Sequence, residues 1–405
     1  PAGRRAAAAA AASASSHAHA GPGGSTLAAL SESSPMLPVP EALLNHLLDT
    51  EAMYLASDQI KGVSMQEILD CLCAYKVAKF IHSELPKRLA VRIRMIDKLV
   101  DWHKVPELVK VRGDMQRWFR QMRLVRRGRH DNFQDFIECI ARVRAEGHEV
   151  VRDTTVGLHK LHAFTSNDYS DEFVNQWLDD FFMIRIGSNM LVDQCVALAK
   201  LEEGGQAKPT GIVDTACNAT LVCEKAAEYA QMLCQIHTGR RPVYTVETYI
   251  EGRQGPQESG HRVFSHMPCY LRYIIIELLK NSFKATALNS RSEEELQCQP
   301  VRILVSSDRH HCAIRVSDQA GGIPYDVGNR IWSYLYGAAA AGASAEGATP
   351  LTGWGVGLPL SRLHARYLGG TLNLATFPGY GTDVHLHLPI IQSQQIENMR
   401  VHALE

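Results

Sequence analysis

The sequence predicts an α+β protein in which a helical bundle precedes a domain of mixed helices and strands. Between about residues 40 and 200, apolar residues recur at spacings of three and four, which is typical of packed helices. One such run consists of Phe173, Trp177, Phe181, Ile184, Leu191, Cys195 and Leu198, interrupted at Ser188. Beyond residue 300, apolar and polar residues alternate, which indicates strands with one buried face. Segment 202–211, rich in glycine, separates the patterns, so we expect domains at 40–205 and 212–392.

The bulk composition limits the classes of protein to be considered. With 405 residues, 45% of them hydrophobic, the chain can bury two cores. Its formal net charge of −1 argues against nucleic acid as a partner. The 10 cysteines include no C-x-x-C pair, which argues against zinc and disulfide frameworks and for a reducing compartment. No apolar run reaches membrane-spanning length, so we expect no membrane insertion.

The two ends of the chain lie outside these domains. Residues 1–35 are rich in Ala, Ser and Gly, carry Arg4 and Arg5, and contain no acidic residue before Glu32. Such a composition cannot build a core. It resembles an organellar transit peptide, and a plain disordered leader is the alternative. Residues 393–405 are expected to form a short tail.

The most informative segment is a helix beginning near Pro268. Its apolar positions follow helical spacing, and Glu277 and Asn281 stand one turn apart, on the same edge as Lys284. A carboxylate can take a proton from an attacking hydroxyl, and an amide oxygen suits Mg²⁺. Lys284 offers a positive charge to phosphates. The alternative is a solvated polar stripe, because E-x-x-x-N alone is a common pattern.

Strand and glycine signals follow this helix. Residues 301–306 and 312–317 alternate apolar with polar on either side of a turn, which predicts a hairpin. Asp318 comes just after the second strand and before Gly321 and Gly322, where a carboxylate can accept from an exocyclic amine such as that of adenine. The glycines there allow close approach of backbone and ligand.

A second glycine run precedes another helix. Gly353, Gly355 and Gly357 lead into the helix-like residues 358–368, whose first N–H groups suit a phosphate. A flexible loop is the alternative interpretation. A further strand, with Val384, Leu386 and Leu388 on one face, follows segment 379–383, in which Thr382 can reach a phosphate.

Taken together, these residues resemble the boxes of the GHKL ATPase fold, which gyrase, Hsp90, MutL and histidine kinases share. More narrowly, they resemble the mitochondrial protein kinases of pyruvate dehydrogenase and branched-chain ketoacid dehydrogenase. That resemblance covers about residues 60–390 and includes segments 82–92, 147–151 and 182–191 in the N-terminal half. It implies a four-helix bundle followed by a Bergerat-type α/β sandwich that binds ATP.

The resemblance also implies roles for individual residues. Glu277 becomes the general base for a substrate serine, Asn281 the Mg²⁺ ligand and Asp318 the adenine-reading residue. The expected nucleotide-binding positions are Lys280, Asn281, Lys284, Asp318, Gly322, Gly337, Ala338, Gly353, Trp354, Gly355, Val356, Gly357, Leu358 and Thr382. The cofactors implied are ATP and Mg²⁺, with K⁺ as an optional further ion. The expected reaction is transfer of the γ-phosphoryl group from ATP to serine.

Partners and location follow from the same resemblance. We expect the dehydrogenase component of the pyruvate or branched-chain ketoacid dehydrogenase complex as substrate, and the lipoyl domain of the acyltransferase core as a docking partner. A homodimer formed through the C-terminal sheet and the mitochondrial matrix are also expected. Segments 331–336 and 358–367 favour the pyruvate type, and Tyr273 with segment 277–281 favours the branched-chain type. The pyruvate type is preferred.

The chain departs from the family pattern at several positions. Ala320 replaces a glycine of the Asp-x-Gly-Gly-Gly box, and Tyr273 stands where animal pyruvate dehydrogenase kinases have a histidine. Gly337 and Ala338 replace the Ser-Thr pair that usually follows Tyr-x-Tyr. These departures leave a non-catalytic ATP-binding scaffold as one alternative function. A histidine kinase is the other, since His148 and the residue after it resemble the start of a phosphoacceptor box without its proline.

Overall fold

A computed structural model describes most of the chain between residues 39 and 390. The described ranges are 39–125, 134–165, 168–202, 204, 210–250, 263–308, 310–336 and 355–390. The predicted leader (1–35) and tail (393–405) lie outside them. By packing, the chain divides at Leu44: the described residues from Asn45 onward form one unit, and only residues 39–44 of the preceding unit are described.

The N-terminal half is helical. Its helices are α1 (Glu41–Leu55), α2 (Met65–Asp70), α3 (Ala74–Asp97), α4 (Pro106–Leu124), α5 (Gln134–Glu146), α6 (Val150–Phe164) and α7 (Asp171–Glu202). A single 3-10 turn joins α5 to α6, and α3, α4, α5, α6 and α7 pack against one another as a bundle. The helical bundle predicted from apolar spacing is therefore confirmed.

Helix α7 is the central rod of this bundle. Trp177 and Phe181 are buried and stacked, with ring centroids 4.9 Å apart, as the spacing predicts. The break in the pattern at Ser188 is accommodated because its hydroxyl donates to the carbonyl of Ile184 at 2.8 Å. Phe173, which the same pattern assigns to the buried face, is 41% exposed and stacks on Tyr169 instead.

Helix α7 also has the length and composition of a membrane-spanning segment. It has 32 residues, and the mean hydropathy of its most apolar window is 1.2. The expectation that no apolar run reaches membrane-spanning length is therefore wrong. However, 67% of that window is buried inside the fold. Core helices of soluble proteins share these properties, so the signal is weak.

The C-terminal half mixes strands and helices. Its elements are β1 (Asp214–Asn218), α8 (Ala219–Thr238), β2 (Tyr244–Ile250), β3 (Val263–His266), α9 (Pro268–Asn289), α10 (Glu293–Cys298), β4 (Val301–Ser307), β5 (His311–Asp318), α11 (Gly357–Tyr367), β6 (Thr371–Phe377) and β7 (Gly381–Pro389). Five strands form a sheet in the order β2-β4-β5-β7-β6, against which α8, α9 and α11 pack. Strands β1 and β3 pair separately. This α/β layer confirms the predicted α+β class.

The predicted hairpin and the predicted last strand are both present. β4 and β5 pair antiparallel, with Val305 opposite Ile314, and successive residues of each strand alternate between buried and less buried positions. β7 pairs with β5 so that Thr382 lies opposite Asp318. This register places Thr382 of β7 beside Asp318, the residue that ends β5.

The predicted division into two folding domains stays a prediction. Helix α7 ends at Glu202 and β1 begins at Asp214, close to the expected boundary. The described residues on both sides nevertheless pack together, since α7 contacts α11 and the Tyr367 hydroxyl lies 3.2 Å from the sulfur of Met190. A long bundle helix thus supports the helix that follows the glycine run.

Stability below neutral pH should depend on His266, whose ring is fully buried in β3. Burial lowers its pKa from 6.5 to about 4, so between these values the unfolded chain binds a proton that the folded chain does not. The free energy of unfolding therefore decreases as the pH falls from 6.5 to about 4. At the lower of these pH values, the loss amounts to about 3 kcal/mol.

The His266→Leu variant should accordingly show a smaller fall in the free energy of unfolding between pH 7 and pH 4 than the wild type. Urea denaturation at several pH values measures this slope. His46→Leu, a change at an exposed position on α1, is the matched control and should keep the wild-type slope. Equal slopes for His266→Leu and wild type would contradict the assignment.

Candidate active site

Two cavities open along the polar edge of α9. The larger has a volume of about 700 Å³ and includes Glu277 and Lys280 in its lining. The smaller has a volume of about 250 Å³ and includes Asp318. Asn281 and Leu358 line both cavities, so the two spaces adjoin at these residues. One elongated ligand can therefore extend from the smaller cavity into the larger.

Asp318 supplies a buried carboxylate to the smaller cavity. The Ser282 hydroxyl donates to it at 2.8 Å, and the backbone N–H of Ala320 donates at 3.2 Å. Burial raises the pKa of Asp318, and the hydrogen bonds from Ser282, Ala320 and Thr382 oppose that rise. Apolar side chains such as Ile323 and Val384 complete the lining. A hydrogen-bond acceptor within apolar walls suits a flat heterocycle with an exocyclic amine, such as adenine.

The backbone around Asp318 requires glycine at some positions and not at others. Gly322 has φ +70°, and a Cβ there would collide with the carbonyl oxygen of Phe377. A Cβ on Gly381 would collide with the carbonyl oxygen of Asp318 itself. Among the described non-glycine residues only Asp101 has positive φ, so Ala320 carries no such strain. The replacement of a family glycine by Ala320 is therefore compatible with this turn.

Glu277 faces the larger cavity and forms an ion pair with Lys280. The Lys280 ammonium lies 2.9 Å from one carboxylate oxygen and 3.1 Å from the other. Lys280 is only 7% exposed, so its charge is largely shielded from bulk water. A buried ammonium beside the junction of the cavities is suited to bind an anionic group such as phosphate.

The start of α11 lies against the same carboxylate. Gly355 has φ +73°, and α11 begins at Gly357 after the N-cap residue Val356. An ideal Cβ on Gly357 would lie 2.5 Å from Glu277 Oε2. The helix N-terminus therefore faces the Glu277 carboxylate, where its free N–H groups and dipole favour negative charge.

The structure brings most of the predicted site residues together. The larger cavity is lined by Glu277, Lys280, Asn281, Gly355, Val356, Gly357 and Leu358, and the smaller by Asn281, Asp318, Gly322, Leu358 and Thr382. Lys284, although half-buried on α9, is not among the described residues that line either cavity. The predicted positions Gly337, Ala338, Gly353 and Trp354 lie outside the described residues.

Several lining residues were not predicted. Ser282 follows Asn281 directly and is buried on α9. Its place next to the apolar face of the helix could have indicated a buried hydrogen-bond donor for the site. Arg185 comes from the bundle and lines the larger cavity, as does His148, which the sequence suggested only as a phosphoacceptor. No spacing in the sequence connects them to α9, because only the packing of the bundle on the sheet brings them there.

The segment before residue 337 is attached to the bundle. The Tyr334 hydroxyl donates to Asp179 at 2.8 Å, and the Tyr334 backbone N–H donates to Asn175 at 2.9 Å. Arg366 of α11 forms an ion pair with Asp179 at 2.9 Å. One carboxylate of α7 thus binds residues on both sides of segment 337–354.

The sheet, the helix α9 and the paired cavities define an ATP-binding domain of the GHKL class. A family model described as "Histidine kinase-, DNA gyrase B-, and HSP90-like ATPase" matches residues 269–392. Another, described as "Mitochondrial branched-chain alpha-ketoacid dehydrogenase kinase", matches residues 62–214.

Relatives cover most of the chain. Pyruvate dehydrogenase (acetyl-transferring) kinase isozyme 4, mitochondrial, of Ictidomys tridecemlineatus is 31% identical, over 84% of this chain and 83% of the relative. The isozyme 4 of Homo sapiens is 30% identical, over 88% and 87% respectively. The pyruvate dehydrogenase kinase of Arabidopsis thaliana is 31% identical, over 78% and 86%. The chain belongs to the mitochondrial protein kinase family that contains these enzymes, and it is a kinase.

Loss of the Asp318 carboxylate should weaken nucleotide binding. Asp318→Ala removes the acceptor in the smaller cavity, and we expect the Kd for ATP to rise by about tenfold or more. Isothermal titration calorimetry with ATP and Mg²⁺ measures this change. Asp326→Ala, which alters an exposed aspartate outside both cavities, should bind ATP like the wild type. Equal affinity of Asp318→Ala and wild type would exclude the adenine-reading role.

A methyl group on Gly357 should disturb catalysis without weakening the fold. Gly357→Ala places its Cβ against Glu277 Oε2, and the flexible carboxylate has to move. We expect kcat for phosphoryl transfer to fall about 10- to 100-fold, while the fold is kept because only the end of a flexible side chain has to shift. Gly113→Ala, a methyl group added in open space on α4, is the control and should keep the wild-type kcat. Unchanged kcat in Gly357→Ala would contradict the prediction.

Proposed function

We propose that this protein is an ATP-dependent protein serine kinase that phosphorylates, and thereby inactivates, the dehydrogenase component of the mitochondrial pyruvate dehydrogenase complex. The observation that carries the proposal is the position of Glu277, whose carboxylate faces a cavity that adjoins the Asp318 cavity through Asn281 and Leu358. The names of the relatives support the choice of acceptor protein.

The nucleotide is assigned to the two cavities by their chemistry. The adenine belongs in the smaller cavity, where Asp318 accepts from its exocyclic amine. The phosphates extend past Asn281 to the start of α11 and to Lys280. The helix N-terminus and the Lys280 ammonium both favour the negative charge of the phosphates. The γ-phosphoryl group then lies in the larger cavity, on the side of Glu277.

The residues present also fit a magnesium ion. Asn281 is exposed at the junction of the cavities, and an amide oxygen there, together with phosphate oxygens and water, gives the hard-ligand set that Mg²⁺ prefers. When bound, Mg²⁺ would neutralise charge on the phosphates. K⁺ remains a candidate second cation that we infer from the family alone.

Glu277 is assigned the role of general base. Its carboxylate accepts the proton of the serine hydroxyl as the serine oxygen attacks the γ-phosphorus and the bond to the bridging oxygen of ADP breaks. Lys280, bound to both Glu277 oxygens, lies next to the position proposed for the transferred group. Most of the rate is then supplied by positioning and charge neutralisation.

The branched-chain dehydrogenase is the second candidate substrate. The family model for residues 62–214 carries the name of the branched-chain kinase, and Tyr273 agrees with that type. The full-length relatives, which cover both halves of the chain, are named as pyruvate dehydrogenase kinases and favour pyruvate dehydrogenase. We further propose a matrix location, docking on a lipoyl domain and a homodimer, all supported by family membership.

A histidine kinase is kept as an alternative because of one observation. His148 lies in the lining of the larger cavity together with Glu277. Its Nδ1 atom is 3.2 Å from the carbonyl oxygen of Ala145, an ordinary helical contact. The chemical stability of the product separates the two functions, since phosphoserine is stable in acid and phosphohistidine is not.

The Glu277→Gln variant tests the base directly. Purified protein is incubated with labelled ATP and each dehydrogenase separately, and acid-stable phosphoserine is located by mass spectrometry. We expect Glu277→Gln to lose about 10²- to 10⁴-fold in kcat, with ATP affinity largely kept. Glu228→Gln, an exposed change on α8, should match the wild type.

The outcomes of this experiment are distinct. A Glu277→Gln protein as active as the wild type would reject Glu277 as the base. A wild-type protein that forms only acid-labile phosphate on itself would reject the serine kinase. Preference for the branched-chain dehydrogenase would correct the substrate.

A further inference from the structure

Helix α9 carries a second polar stripe besides the edge that bears Glu277 and Asn281. Ser282 and Asn289 are seven residues apart, so they share another face of the helix. Both residues line the smaller cavity together with Asp318, so this face is directed toward the turn after β5. The proposed phosphoryl transfer assigns no role to this stripe.

The Ser282 hydroxyl makes its hydrogen bond outside its own helix. Other hydroxyls of this segment donate to the carbonyl four residues back: Thr286 donates to Ser282 at 2.8 Å, and Ser290 donates to Thr286 at 2.7 Å. Ser282 instead donates to Asp318 Oδ2 at 2.8 Å, and both side chains are buried. The bond therefore joins the helix that bears Glu277 to the acceptor assigned to the base.

The Asp318 carboxylate can accept one more hydrogen bond. An ionised carboxylate accepts about four in total. Within the described ranges, three donors come from the protein, namely the Ser282 hydroxyl and the backbone N–H groups of Ala320 and Thr382. The remaining acceptor position suits the exocyclic amine of adenine. Guanine carries a carbonyl oxygen at the equivalent position, and an ionised carboxylate repels that oxygen.

Asn289 holds the turn that supplies one of these donors. Its side-chain Nδ2 donates to the carbonyl of Ala320 at 2.7 Å. The backbone N–H of Ala320 donates to Asp318 Oδ1 at 3.2 Å. Because the carbonyl of Ala320 is held, its N–H keeps its direction toward the carboxylate. Helix α9 thus fixes the acceptor twice, directly through Ser282 and indirectly through Asn289.

The Ser282 hydroxyl also affects the charge of Asp318. Burial raises the pKa of Asp318, and Asp383 of β7, the one charged group that contributes among the described residues, adds to that rise. The hydrogen bond from Ser282 is the largest effect that opposes the rise, followed by those from Ala320 and Thr382. Loss of the hydroxyl therefore moves protonation of Asp318 to higher pH. A protonated Asp318 no longer repels the guanine oxygen, because it can donate to it.

We propose that Ser282 and Asn289 are positioning residues that make the smaller cavity select adenine over guanine, by keeping Asp318 ionised and its open acceptor position directed at the base. This inference rests on the proposed function, which places the base of the nucleotide beside Asp318. It extends that function to the choice between two nucleotides. Helix α9 then serves both ends of the nucleotide, the phosphates through one stripe and the base through the other.

Nucleotide affinities measured over a range of pH test this selection. Isothermal titration calorimetry gives Kd for ATP and for GTP, each with Mg²⁺, between about pH 5.5 and 8. The ratio of the two Kd values cancels the titration of the triphosphate, which both nucleotides share. We expect the wild type to bind ATP about 10- to 100-fold more tightly than GTP at the upper end of this range.

The preference for ATP should decline at a higher pH in Ser282→Ala than in the wild type, because Asp318 takes up its proton at higher pH. The two curves should differ by about tenfold where they lie furthest apart. Asn289→Ala should lower the preference by about threefold with little change in its pH dependence, because it loosens the turn without contacting the carboxylate. Ser290→Ala makes the same change as Ser282→Ala on a residue that donates to Thr286 and is not among the described lining of either cavity. This control should follow the wild type.

Several results would overturn the proposal. A wild type that binds GTP as tightly as ATP would do so, as would a Ser282→Ala curve that coincides with the wild type. Equal weakening of ATP and GTP at each pH would mean that the substitution acts only on the structure of the cavity. Wild-type preference in Asn289→Ala would remove Asn289 from the selection. Because only binding is measured, a protein that binds ATP but phosphorylates no serine would reject the proposed kinase, while these affinities still decide the inference.

Discussion

The burial of α9 between the sheet and its neighbouring helices is the constraint on which the site depends. Ile274, Ile275, Leu278 and Leu279 are at most 1% exposed, so the rotation of the helix about its axis is fixed. The polar edge then has only one direction in which to face. Glu277 and Asn281 reach the cavities because four aliphatic side chains on the other face cannot leave the core without losing several kcal/mol in total.

The sheet contributes to the site through register. Thr382 lies opposite Asp318 because β5 and β7 pair antiparallel, and Gly381 allows the two backbones to approach. A shift of one residue would turn Thr382 away from the cavity and move its neighbours across the sheet. The backbone of Asp318 is thus held by strand pairing, and its carboxylate by the hydrogen bond from Ser282 of α9. Both β5 and α9 have apolar faces that are buried.

Much of this site was predictable from local patterns. The helix, the hairpin and the glycine turn near Asp318 follow from spacing, because each depends on residues close together in the sequence. The ion pair of Lys280 with Glu277 and the placement of Arg185 were not predicted, since they depend on rotamers and on packing between distant segments. Phe173 follows the helical period but lies in the first turn of α7, where it is left exposed. Family resemblance supplied the roles that spacing could not.

The attachment of Asp179 has a mechanical consequence. Its carboxylate binds both Tyr334, which precedes residue 337, and Arg366 of α11, so these two anchors are fixed to a single helix of the bundle. An axial or rotational displacement of α7 would carry the two anchors together and leave the distance between them unchanged. Strain reaching the bundle would therefore arrive at Tyr334 and at α11 as one common translation.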